Sequence, residues 1–195
     1  MENMDGLDVT ACTRCADLVE SRSRIVNGTG PADADVVFVG EAPGEQEDRE
    51  GTPFVGRGGD VLDKALGDHG LPRKQVRITN CVRCRPPNNR DPGKEELANC
   101  RPYLEHELNS IDPEVVVTLG KVPSEHLLGR DVAVTSEAGS VETVELGDER
   151  RDVLICVHPA ATLYDRSQEE TFESTIEKAA TIAGVSGGQA TFEDY

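Results

Sequence analysis

The chain has 195 residues, enough for one domain with a buried core. Its 20 Lys and Arg stand against 37 Asp and Glu, a net charge of −17, with no Trp and only five lysines among the cations. No apolar run approaches the roughly 20 residues of a membrane span, and the opening MENMDGLDVTACTRC is acidic and polar, unlike a signal peptide. A cytoplasmic protein is therefore expected. A carboxylate coat poor in lysine suits a halophile's cytosol, where molar salt screens charge over roughly 3 Å.

In chain order, DVVFVGEAPG reads as a buried strand running into a loop, and RGGDVLDKALGDHG as a helix closed by Gly70 and Pro72. VRITNCV is a second strand. The Pro-rich loop RPPNNRDPG leads into the helix KEELANCRPYLEHELN, with Pro102 as its awkward interior residue. EVVVTLG is a third strand, and PSEHLLG a short helix. VAVTSEAGSVETVEL predicts a hairpin around Glu137-Ala138-Gly139. DVLICVHPAA is a fourth core strand, and SQEETFESTIEKAATIAG a last helix. A single domain over residues 1–185 is expected, with a loose tail over 186–195. Strands spaced by helices argue for a parallel sheet covered on both faces, with ligands at the carboxyl ends of its strands.

Three features do not belong to an ordinary scaffold. GEAPGEQEDREGTPFVGRGG, residues 40–59, holds six glycines, two prolines and five carboxylates around a lone aromatic, Phe54. A phosphate-binding loop would avoid so many acids. Residues 73–101 carry eight cations against three acids, a local +5 in an acidic chain, which points to an anionic partner. Finally, the six cysteines of an expected intracellular chain read as metal ligands or buried thiols before disulfides.

Cys12-Thr-Arg-Cys15 and Cys81-Val-Arg-Cys84 are two CxxC pairs, but 65 residues separate them, far too many for a zinc ribbon. The other choice joins Cys12 and Cys15 to Cys84 and Cys100. All-thiolate ligation fits zinc or an iron–sulfur cluster, and spacing does not separate the two. Cys156, between Ile155 and Val157, reads as a small core residue.

Together, GEAPGEQEDREGTPFVGRGG, ITNCVRCRPPNNRDP, the later CRPYL and the VHPAATL segment resemble the family 4 uracil-DNA glycosylases, the iron–sulfur type of archaea and thermophilic bacteria. The likeness covers roughly residues 10 to 180. It implies a three-layer α/β/α fold around a central four-stranded parallel sheet. The activity it implies is hydrolysis of the N-glycosidic bond of uracil in single- or double-stranded DNA, leaving an abasic site, by a monomer. It also implies a [4Fe–4S] cluster on Cys12, Cys15, Cys84 and Cys100, with Cys81 an extra thiol beside them.

The resemblance assigns roles that the chemistry of each residue supports. A base inside a duplex must be flipped into a pocket that holds a flat ring, reads its edge and stabilises charge as the bond breaks. Phe54 is the expected stacking face. Asn80 offers an acceptor and a donor pair to uracil N3–H and O4. His158, opening HPAATL, is the donor aimed at O2 of the departing anion. Glu41 is expected to stabilise the sugar cation and orient water, with Ala42 beside it and Asn89 as a second water-positioning candidate. Glu47 would face the base and exclude a 5-methyl group, while Glu45, Asp48 and Glu50 are expected to be solvated or hydrogen-bonding loop acids. Arg57, Arg83, Arg85, Pro86, Pro87 and Arg90 form the expected grip on the DNA backbone. Leu163 and Arg166 would fill the gap left by the flipped base. Gly58-Gly59 is a departure expected to loosen the helix that follows it.

Overall fold

A computed structural model of the protein describes residues 3–147 and 149–185, so the expected tail over 186–195 lies outside the described residues. The chain starts with a small ribbon, β1 (Met4–Asp5) against β2 (Asp8–Val9), and α1 (Ala16–Ser21) follows directly on Cys15. The valine-rich runs then build the centre. They are β3 (Val36–Gly40), β4 (Arg77–Asn80), β5 (Val115–Leu119) and β7 (Glu149–Cys156), the last preceded by β6 (Val141–Leu146).

These five strands form one sheet in the order β4-β3-β5-β7-β6. The four expected strands are mutually parallel, as predicted, but the sheet has a fifth member: β6 lies antiparallel on β7 at the edge. The predicted hairpin around Glu137-Ala138-Gly139 is therefore corrected. Val134–Glu137 is one helical turn, α6, closed by Glu137 accepting from Ala133 N–H at 2.7 Å, and Arg130 ties Glu137 to Glu142. The chain turns back instead after Leu146, where Gly147 takes a φ of +66°. VETVEL alternates outward and half-buried residues, which suits an edge strand.

Because successive residues of a strand face opposite sides, each central strand feeds two cores. Val36, Phe38, Val117 and Leu154 meet Leu62 and Leu66 of α3 (Arg57–Asp68) and Phe172 and Ile176 of α7 (Ser167–Ile182). Val37, Val39, Val116 and Val153 meet Leu104 and Leu108 of α4 (Lys94–Ile111) and Leu127 of α5 (Lys121–Leu128). Helices thus cover both faces of the sheet, giving three layers. The α4 helix runs straight on through Pro102 to Ile111.

Beneath β4 lies a buried ionic network that takes up part of the basic stretch. Glu107 of α4 is fully buried and accepts from Arg77 Nε at 2.8 Å, Thr79 Oγ1 at 2.8 Å and Arg83 Nη2 at 2.7 Å. Arg83 is 2 % exposed and reaches on to Asn27 Oδ1, so it cannot grip DNA as expected. Arg73 and Arg101 likewise donate to backbone carbonyls, of Phe54 and His126. Half of the local positive charge is structural, because a guanidinium's fixed fork can join several oxygens inside a fold.

Candidate active site

The parallel strands end level. Gly40 pairs with Asn80 and Leu119 with Cys156, so the segments leaving β3, β4, β5 and β7 emerge on one edge. There they enclose a cavity of about 360 Å³ lined by Glu41, Ala42, Glu47, Phe54, Asn80, Asn89 and His158, with Gly44, Gly58, Gly59 and Ala160 between them. Every residue expected to catalyse or to bind the base lines it.

Phe54 and His158 form opposing parts of the wall, ring centroids 5.9 Å apart and planes at 29°. Phe54 adopts a φ of +53°, a conformation costing a non-glycine residue roughly 1–2 kcal/mol. Arg73, 19 residues away in sequence, offsets that strain by donating to the Phe54 and Pro53 carbonyls while paired to Asp63. No local signal marks that role. Two glycines admit the ring: a Cβ on Gly59 would collide with the Phe54 carbonyl, and one on Gly40 with Phe54 Cε2 and Asn80 Oδ1. Gly58-Gly59 thus seats the loop rather than loosening the helix.

Glu47 lies on α2 (Glu45–Glu50), a helix within the stretch expected to be a loop. Its Oε2 accepts from Gly44 N–H at 3.1 Å and its Oε1 from Val55 and Gly56 N–H, so one carboxylate staples both sides of the pocket mouth. Asp48 is the hydrogen-bonding one of the three expected loop acids, though it sits buried on α2 rather than in a loop: it accepts from Ser23 N–H at 2.9 Å and Arg24 N–H at 3.3 Å.

His158 begins a 3-10 helix, Pro159–Leu163, and its Nδ1 accepts from Ala160 N–H at 3.1 Å. Burial holds its pKa below the ordinary histidine value, against the opposing charge of Glu47. A neutral ring whose Nδ1 accepts must carry its proton on Nε2. The imidazole is therefore a neutral, preoriented donor.

Burial foremost, and then the neighbouring Asp91 carboxylate, push Glu41 up to about 7 from 4.5. In the expected water-orienting role Glu41 must be ionised, and that role predicts a reaction rate that rises with pH through about 7. In Asp91→Asn the midpoint of the pH–rate profile moves down but stays above 4.5, because burial is the larger cause. A rate flat from pH 5 to pH 9 would remove Glu41 from that role. Stability runs the other way: the folded carboxyl holds its proton more tightly, and that contribution is complete below 4.5 and lost as pH rises through about 7.

A second cluster lies alongside. Cys12, Cys15, Cys84 and Cys100 line one cavity with Leu18, Val82 and Tyr103. Arg22 Nη1 donates to Cys84 Sγ at 2.9 Å and Asn99 Nδ2 to Cys15 Sγ at 3.5 Å. Buried there, the Tyr103 hydroxyl has no hydrogen-bond partner. Burial pushes the Cys100 thiol up to about 12 and raises Cys15 and Cys84, so ionising them requires a cation that displaces their protons. Four sulfurs, two aimed N–H donors and an orphaned hydroxyl fit a thiolate-held metal group. Among the described residues, no three Cys, His, Asp or Glu side chains are grouped closely enough to hold one ion. Cys81 is excluded from this cavity; it packs with Val39 and Leu104 in the core. Cys156 is a buried core residue, as expected.

None of the expected DNA-contacting residues lines the cavity. Arg85 Nε donates to Asn89 Oδ1 at 2.8 Å, and Asn88 and Asn89 both take positive φ in the turn begun by Pro86 and Pro87. Arg90 makes a two-pronged pair with Glu96 at 2.8 Å. Arg57 starts α3, while Leu163 and Arg166 are exposed after the His158 turn.

The model of the uracil DNA glycosylase superfamily matches residues 27–180, and the chain belongs to that superfamily. It is 38 % identical over 201 residues to the type-4 uracil-DNA glycosylase of Archaeoglobus fulgidus, across 100 % of both chains. To the type-4 enzyme of Sulfurisphaera tokodaii it is 38 % identical over 181 residues, covering 90 % of this chain and 82 % of that one. To that of Thermotoga maritima it is 41 % identical over 162 residues, covering 83 % and 82 %. Among the described residues no helix is long and apolar enough to cross a membrane.

Proposed function

We propose that this chain is a uracil-DNA glycosylase that hydrolyses the N-glycosidic bond of uracil in DNA and leaves an abasic site. One observation carries the reading: Phe54, Asn80 and His158 line the same cavity as Glu41, at the carboxyl ends of parallel strands. The extruded base stacks on Phe54, and the Asn80 amide pairs with N3–H and O4. As the bond to the sugar breaks, its electron pair passes to uracil, and the Nε2–H of His158 stabilises the charge gathering on O2. Glu41, with Asn89, orients the water that adds to the sugar cation. Ala42 and Glu47 shape the wall facing the base.

The four clustered cysteines, Cys12, Cys15, Cys84 and Cys100, would hold a [4Fe–4S] cluster. When bound, it would anchor residues 12–24 and the 84–100 segment rather than take part in bond breaking. The protein acts as a cytoplasmic monomer on single- or double-stranded DNA, one domain reaching to residue 185. Arg57, Arg85, Arg90 and Arg166 meet the phosphates, Pro86 and Pro87 the sugar backbone, and Leu163 the vacated stack.

The reading is tested by release of free uracil from a uracil-containing oligonucleotide, lost in Asn80→Ala. DNA binding without release by the wild-type chain would make it a binding module instead. Absorbance near 400 nm together with iron content distinguishes the cluster from zinc. The acidic surface, at −17, is that of a halophile's enzyme, so activity persists in molar KCl. A steep fall above physiological salt would overturn that last point alone.

A further inference from the structure

Two large side chains stand out of the fold on the turn that follows His158. Leu163 is 45 % exposed and Tyr164 is 78 % exposed. An exposed tyrosine by itself needs no explanation. This one is held in place at both ends. Its backbone N–H donates to Ala161 O at 3.1 Å, inside a turn already braced by Thr162 Oγ1 on Pro159 O at 2.8 Å. Its hydroxyl accepts from Arg57 Nη2 at 3.2 Å. Arg57 opens α3, whose next residues, Gly58 and Gly59, line the pocket, and Gly58 packs on Ala160, two residues after His158. The phenol ring is therefore fixed relative to the imidazole through two separate chain segments, yet it contributes almost nothing to the core.

We propose that Tyr164 stacks on the nucleobase adjacent to the extruded nucleotide, with the Arg57 guanidinium beside it on the intervening phosphate. The inference rests on the glycosylase reading and adds a subsite to it. Extrusion deprives each neighbouring base of one stacking partner. A single aliphatic side chain such as Leu163 fills the vacated gap but offers no π-face. An aromatic ring replaces the lost stack on the neighbour, and it does so for any base, since every base has a flat face. In single-stranded DNA no complementary strand holds that neighbour, so the dependence on Tyr164 is largest there.

The test pairs protein variants with altered DNA. Uracil release is followed for wild type, Tyr164→Ala and Tyr164→Phe on single-stranded oligonucleotides that carry uracil. The 5′ or the 3′ neighbour is either a normal base or an abasic tetrahydrofuran residue. Tyr164→Ala should raise KM about tenfold on normal DNA, the loss falling on KM rather than on kcat, while Tyr164→Phe, which keeps the ring and loses only the Arg57 tie, should raise it clearly less. Removing the base that Tyr164 covers should raise the wild-type KM by a similar factor and leave Tyr164→Ala unchanged. Losses that simply multiply, or Tyr164→Phe failing as badly as Tyr164→Ala, would overturn the proposal. Absence of uracil release by the wild-type chain would instead defeat the glycosylase reading on which it stands.

Discussion

Replacing His158 by alanine should slow single-turnover uracil release by about two to three orders of magnitude, while affinity for uracil-containing DNA changes little. The ring is a neutral donor, preset by Ala160 N–H on Nδ1 and kept neutral by burial, so it need not reorient when charge reaches O2. Its contribution is made in the transition state, and the loss should fall on the chemical step. His158→Asn restores a donor N–H without the imidazole's geometry and should recover part of the rate. If His158→Ala weakens DNA binding as much as it slows release, the residue is a ground-state contact and not the electrophile.

The second large effect concerns stability. Glu107→Ala leaves Arg77 and Arg83 in the interior without the carboxylate that both now use. Breaking a buried ion pair from one side costs about 3–5 kcal/mol, because the remaining charges keep their desolvation penalty and lose its compensation. For a chain of this length the midpoint of thermal unfolding should fall by about 10 °C, read by calorimetry or circular dichroism at fixed pH and salt. Glu107→Gln, whose single oxygen can keep both Thr79 and Arg83, should lose less. The pocket lies on the far side of β4's tip, so residual activity below the melting range should be near wild type. An unchanged melting temperature would mean that water hydrates the network.

The positions of the site stand out in the sequence because its parts sit where chain chemistry changes abruptly, while their roles come from the family resemblance. Asn80 ends an apolar strand, His158 follows another, and Phe54 is the lone aromatic in a run of glycine and acid. What failed was anything requiring knowledge of a distant partner. Arg83 and Arg85 are two residues apart and equally basic, yet one is buried against Glu107 and the other lies at the rim beside Asn89. Asp48 and Glu50 are also two apart, and only Asp48 meets the free N–H groups of Ser23 and Arg24. The edge hairpin was misplaced because a four-residue run such as Val134–Glu137 carries too little periodicity to separate a helical turn from a strand.

By itself the amino-acid sequence determined the layered α/β architecture and the four parallel core strands, which follow from local hydrophobic patterning acting over a few residues. The residues that line the pocket were named through the resemblance to a family, and their types suit the roles it implies. Only the tertiary structure decided which charges are buried, how Phe54 is held in a left-handed conformation and which histidine nitrogen bears the proton. These depend on groups tens of residues apart, such as Arg73 on the Phe54 carbonyl, and on burial, whose electrostatic cost exists only once the chain has closed around them.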